Sequence, residues 1–119
     1  MIFEDKEIEK ELAEFSKEYI EDIDNKIKRK ELNVNRASEL ATIVVTLEDG
    51  TVLDADKESE ENIKTALLAL DDGEETMWLT KENEAVTLKK SDLKEALRLI
   101  GIEKRTIIFK YRKLKDELN

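Results

Sequence analysis

Between residues 93 and 118 the apolar positions Leu93, Leu97, Ile100, Ile107, Tyr111, Leu114 and Leu118 recur at alternating steps of four and three, with Lys104 filling the remaining place. Two turns of α-helix advance about seven residues, so these side chains share one face, and the spacing is the a/d pattern of a helix that packs along another helix. There is no proline anywhere in the chain to interrupt such a helix. Gly101 lies inside the stripe, at a place where it marks a bend or a close approach. A seam that stays intact for about 28 residues requires a neighbour, and the spacing leaves open whether that is another part of this chain or a second subunit. The seven positions Leu97, Ile100, Lys104, Ile107, Tyr111, Leu114 and Leu118 are therefore the candidate helix interface.

A second long helix is expected at the other end, over residues 3–32. Ile8, Leu12, Phe15, Tyr19, Ile23 and Ile27 form a slowly drifting stripe among good helix formers. Acids crowd its first half and Lys26, Lys28, Arg29 and Lys30 its last turns, as the helix dipole favours. Asn33, Val34 and Asn35 are expected to break it, with a short further helical turn over 36–42. This gives a division into a helix over 1–35 and a ββαββα domain over 36–119.

The intervening segment alternates strand and helix signals. The β-branched run at 43–47, the turn signal Asp49–Gly50 and the return at 51–53 predict a hairpin. With a two-residue turn, Leu47 faces Val52 and Thr46 faces Leu53, leaving apolar residues on both faces of the ribbon. Asp56 or Ser59 caps a helix over 57–71 with Ile63, Ala66, Leu67 and Leu70 on its buried stripe. Strands at 76–80 and 85–88 form a second hairpin, and Ser91 is the expected cap of the last helix. The fold class is α+β: two hairpins forming a small antiparallel sheet, a middle helix, and long helices at both ends.

Charge and composition narrow the functional classes. The net charge is −9, with −7 over residues 1–24, +4 over 25–36, −10 over 48–84 and +5 over 85–119. A general nucleic-acid surface needs clustered bases and is not expected. The bases Lys104, Arg105, Lys110, Arg112, Lys113 and Lys115 are instead expected on a solvated helix face, or aligned with the acidic start of the first helix in antiparallel packing. The chain has no histidine and no cysteine, which removes the commonest general base, metal ligand and thiol nucleophile. The acids Asp54, Asp56, Glu58, Glu60 and Glu61 suggest a calcium loop only superficially, because Ser59 and Thr65 stand where such a loop needs glycine and glutamate. Neither a catalytic site, a metal, a cofactor, a small-molecule substrate nor a membrane contact is expected. Trp78 is expected in the core in preference to a binding anchor. No apolar run approaches the ~20 residues of a membrane span, and the acidic start lacks a signal peptide's basic flank, so an intracellular location is expected.

From the first hairpin onward the chain carries Gly50, Leu53, Asp54, Asp56, Ser59, Asn62, Ile63 and Ala66, then Trp78, Thr80, Asn83, Val86 and Leu88, then Asp92 and Leu93. In the order and spacing of these residues it resembles a small domain of otherwise unknown function found in bacteriophage and prophage tail-fibre-associated proteins. The resemblance covers about residues 45–119. It implies a non-enzymatic structural or assembly protein, in the bacterial cytoplasm or the virion, whose partners are tail proteins or further copies of itself. The acidity of residues 48–84 keeps open another class, an inhibitor that mimics nucleic acid and binds a basic host protein.

Overall fold

The computed structural model describes the backbone of residues 6–118 and the side chains of residues 16–118. In chain order it holds α1 (Lys6–Ala41), β1 (Val44–Thr46), β2 (Val52–Asp54), α2 (Lys57–Ala69), β3 (Glu75–Leu79), β4 (Ala85–Lys89) and α3 (Lys90–Asp116). This is the expected α+β class, with long helices at both ends. The two hairpins remain separate two-stranded sheets. They are joined where the Lys81 N–H donates to the Val52 carbonyl over 2.9 Å.

α1 is one continuous helix of 36 residues, or ~54 Å at 1.5 Å per residue. The expected break at Asn33, Val34 and Asn35 is absent. These are weak helix formers but not breakers, and the flanking residues Leu32, Arg36, Glu39 and Leu40 are all partly covered, so packing overrides propensity. The helix stops at the β-branched run that begins with Thr42, whose hydroxyl donates to the Ser38 carbonyl over 3.0 Å.

The first hairpin differs from expectation by one residue. Thr46 pairs with Val52 and Val45 with Leu53, because the loop holds three residues, Glu48, Asp49 and Gly50. Gly50 takes the left-handed conformation (φ 91°), its N–H donates to the Leu47 carbonyl, and the Asp49 carboxylate accepts the Thr51 N–H. A one-residue slip moves every side chain of the return strand to the other face. Ile43, Val45, Leu47, Leu53 and Ala55 therefore gather on one buried face, while Thr46 and Asp54 are exposed on the other.

That face is the floor of the core. Ile63 from α2, Leu88 from β4 and Leu93, Ala96 and Ile100 from α3 close it, with Trp78, Val86, Leu67 and Leu70 packed around the margin. The expected α2 stripe is thus found, although only Ile63 is fully enclosed. The β3–β4 loop turns through Asn83 (φ 61°), and the Glu84 N–H donates to the hydroxyl of buried Thr80. α3 starts one residue before Ser91, and Lys89 is its cap position. The terminus is closed by the Asp92 carboxylate, which accepts the Lys89 N–H over 2.9 Å.

Two glycines give opposite expectations. Gly50→Ala puts a side chain into a left-handed backbone and should cost about 1–2 kcal/mol. Gly101 sits within helical α3 with open space where a Cβ would stand, so neither a bend nor close packing requires it. Gly101→Ala should stabilise the protein by about 0.5–1 kcal/mol. Chemical denaturation of the two variants checks both signs.

Candidate interaction surfaces

The molecule is elongated, 90 × 23 × 23 Å, and among the described residues the second half of α1 is the part that lies against α3. α1 and α3 run antiparallel. Ala37, Leu40 and Ala41 lie beside Lys104 and Ile108, while Lys28, Leu32 and Asn35 lie beside Leu114 and Leu118. The neighbour of the α3 seam is thus the core over its first half and this chain's own first helix from Tyr111 onward.

The seam residues meet different fates along α3. Ile100 is enclosed in the core, and Leu97 and Ile107 pack against its edge. Lys104 is paired with Glu60 of α2, both side chains being about four-fifths covered. Tyr111 is buried, and its hydroxyl donates to Glu39 Oε1 over 2.8 Å. Lys110 donates to both oxygens of the same carboxylate, over 2.7 and 3.0 Å. Leu114 and Leu118, beyond this clamp, are only partly covered. The polar break in the heptad pattern at Lys104 is thereby explained: Glu60 stands opposite it within the same chain.

These contacts bear on titration. The hydrogen bonds from Lys110 and then Tyr111 hold the Glu39 carboxyl below its ordinary range, and the one from Lys104 does the same for Glu60. Burial, followed by the Glu39 contact, pushes the Tyr111 hydroxyl up. A carboxyl whose pKa is lowered on folding contributes stability that is present above the unfolded value, ~4.3 for glutamate, and lost as pH falls through the folded value. Thermal unfolding should therefore lose stability on acidification below about pH 4.3, and Glu39→Gln should flatten that acid limb. Lys104→Met should cost about 1–2 kcal/mol, between an exposed pair and a fully buried one. Changing Glu60→Gln as well should recover part of it, because no charge is then left covered and alone. Denaturant midpoints of the single and double variants read this.

Of the two places expected for the α3 bases, a solvated face and an alignment with the acidic start of α1, the structure gives the first: Arg105, Lys110, Arg112 and Lys113 are exposed. α3 ends at the level of Lys28, short of that acidic start. Glu39 is the acid that α1 supplies to the α3 bases.

The stripe on α1 was legible in part. Ile8, Leu12 and Phe15 have side chains outside the described residues. Tyr19, Ile23 and Ile27 are 60%, 38% and 49% exposed, and Val34 is 61% exposed. Leu32 and Glu39, which meet α3, lie nine and sixteen residues beyond Ile23, or about two and a half and four and a half turns. Leu32 and Glu39 thus face away from the apolar stripe, whereas Ala37 and Ala41, also beside α3, lie on the stripe's own side further along the helix. Val34 had no signal as a stripe member because the helix was expected to end before it.

A second surface lies between α2 and the β3–β4 hairpin. It is an open groove of about 540 Å³ lined by Asp54, Ser59, Asn62, Trp78, Thr80 and Asn83 among others. Trp78 is half-buried, with one side against the core and the other on this groove. Its rim carries Met77 and Leu79, which point outward and are 66% and 61% exposed. Among the described residues no three acidic side chains converge as a metal ligand set would. Of the acidic run, Glu60 and Glu61 turn to Lys64. No helix among the described residues is long and apolar enough to cross a membrane.

Many of the groove-lining residues, among them Asp54, Ser59, Asn62, Trp78, Thr80 and Asn83, are those on which the sequence resemblance rests. A family model described as a domain of unknown function (DUF4376) matches residues 24–119. The chain belongs to the DUF4376 family. The match begins inside α1, so it takes in the half of that helix that packs on α3 and leaves the preceding acidic residues outside. DUF4376 thereby reaches further towards the N-terminus than the resemblance from residue 45. No curated protein and no solved structure matches the chain.

Proposed function

We propose that this DUF4376 chain is a non-enzymatic structural or assembly protein of the bacteriophage or prophage tail type, which joins proteins through its first helix. The observation that carries this reading is the outward apolar face of α1, Tyr19, Ile23, Ile27 and Val34, on the side away from α3. An exposed amphipathic helix gains its stability from a covered apolar face, and here that face has no cover within the described chain. A helix anchored at one end and laid open along the other is suited to docking. The tail assignment is supported by the residues of the two hairpins and α2 that resemble tail-fibre-associated proteins.

The experiment is co-purification of the chain with tail proteins encoded beside its gene, comparing wild type with Ile23→Asp plus Ile27→Asp. Loss of co-elution on the order of 100-fold, with unchanged far-UV circular dichroism, is expected. Co-elution that the double change leaves intact would overturn docking through α1.

A second reading follows from charge. In residues 48–84 every acid except Asp56 and Glu60 is exposed. Such a surface suits a decoy that binds a basic host protein, and salt-sensitive capture of such a protein would favour it. Association indifferent to salt removes it.

A further inference from the structure

We infer that the groove between α2 and β3 takes an extended, basic segment of a partner protein, which adds to the free edge of β3 as a further strand. This site is separate from the outward face of α1 and does not depend on docking there.

The backbone shows that the edge of β3 is open. In an antiparallel pair, every second residue turns its N–H and C=O towards the neighbouring strand, and the residues between turn theirs away. The Thr80 N–H donates to the Glu84 carbonyl over 2.9 Å, and the Lys90 N–H to the Glu74 carbonyl over 3.2 Å. With Trp78 opposite Val86 and Thr76 opposite Leu88, the even-numbered residues of β3 therefore face β4. Glu75, Met77 and Leu79 present their backbone groups on the other side. The next residue of that series, Lys81, donates its N–H to the Val52 carbonyl of β2. The three before it have no strand beside them among the described residues. The Thr76 hydroxyl reaches the Met77 carbonyl only over 3.5 Å, the limit of a hydrogen bond.

The groove runs along this edge. Four consecutive residues, Met77 to Thr80, line it. Successive side chains of a strand point to opposite faces, so consecutive residues share one groove only along the strand's edge. The facing wall is α2, which offers Ser59, Asn62, Ala66 and Ala69, none larger than asparagine, and the space between is about 540 Å³. Sheet edges are ordinarily guarded by lysine, by proline or by a covering element. β3 has neither residue, and its outward Met77 and Leu79 are exposed.

Charge selects the occupant. Asp54 is the one charged residue that lines the groove. Glu58 lies about one helical turn before Asn62 on α2, Glu75 opens β3 and Glu82 follows it. All four acids are exposed, and none makes an ion pair among the described residues. Lys81 is the base that stands against them. A basic strand is therefore attracted and an acidic one repelled. The same rule disfavours a second copy of this chain, whose β3 would bring Glu75 and no base.

The probe is a short blocked peptide of alternating lysine and valine, followed by fluorescence anisotropy with the full chain and by amide hydrogen exchange. Capture should weaken as salt rises, and a peptide of alternating glutamate and valine should bind at least ~10-fold more weakly. Asp54→Asn should weaken capture about 2–5-fold, the share of one exposed charge pair. Ile23→Asp plus Ile27→Asp should leave capture unchanged. With the peptide bound, the amides of Met77 and Leu79 should exchange at least ~10-fold more slowly, because the added strand supplies their acceptors. Capture that leaves those two amides unprotected would overturn strand addition and reduce the contact to bulk charge attraction. Absence of capture, or equal capture of the glutamate peptide, would overturn the basic occupant. A dimer of the chain alone that protects the same amides would put a second copy in the groove instead.

Discussion

Replacing Ile63 by Ala is expected to cost about 3–4 kcal/mol, the range for deleting a large aliphatic side chain from an enclosed site. Ile63 has no exposure and is the only fully buried residue of α2. It is the point at which that helix is held to the face built by Val45, Leu53 and Leu93. Against a total stability of about 5–15 kcal/mol for a domain of this size, the loss is severe. α2 also carries Glu60, so its release should remove the Lys104 ion pair and open the groove beside Trp78. Leu68→Ala on the same helix, at a position 91% exposed, should change stability by less than about 0.5 kcal/mol. Urea unfolding of the two variants makes the comparison. Equal costs would mean that α2 is seated on a different face.

Tyr111→Ala is expected to cost about 3 kcal/mol and to release α1 from α3. Tyr111 is the buried residue of the α1–α3 contact, and its hydroxyl and the Lys110 ammonium share the Glu39 carboxylate. Tyr111→Phe keeps the ring and loses one hydrogen bond to a charged acceptor, about 1.5 kcal/mol or less because Lys110 still answers Glu39. The two effects separate in hydrogen exchange. In Tyr111→Ala the amides of residues 28–41 should exchange at least ~10-fold faster, while those of residues 93–100 in the core keep their protection. Uniform loss of protection would show that the helix pair and the core unfold as one unit.

The comparison of Tyr111 with Tyr19 shows how much of this was legible in the sequence. Both lie on regular apolar stripes, and both stripes asked for a helical neighbour. Periodicity gives the face of a helix, not what covers it. The α3 stripe is covered by the core and then by Leu32, Glu39 and Leu40, none of which belongs to the α1 stripe. α1 thus has two working faces, and only the apolar one leaves a clear periodic trace. The other mixes Leu32, Arg36 and Glu39, and becomes recognisable only when Tyr111 and Lys110 stand opposite it.

The smaller differences have local causes. The Asp49–Gly50 signal was correct about a turn but not about its length, since Glu48 joins the loop and shifts the register by one. The expected end of α1 at Asn33 relied on propensity, which tertiary packing overrode. Ser91 was passed over as a cap because Asp92 closes the helix from inside it. The α3 stripe was readable from spacing, whereas the groove beside Trp78 required the arrangement of α2 against β3 and β4.

Small-angle scattering of the Ile23→Asp plus Ile27→Asp protein tests most directly that α1 stands clear of the body with one face open. The Cα radius of gyration of the chain is 24.6 Å, with a longest dimension of 90 Å. A measured radius near 25 Å is the predicted result. A radius near ~14 Å, that of a compact domain of this length, would show the first helix folded over its own body and would contradict the account.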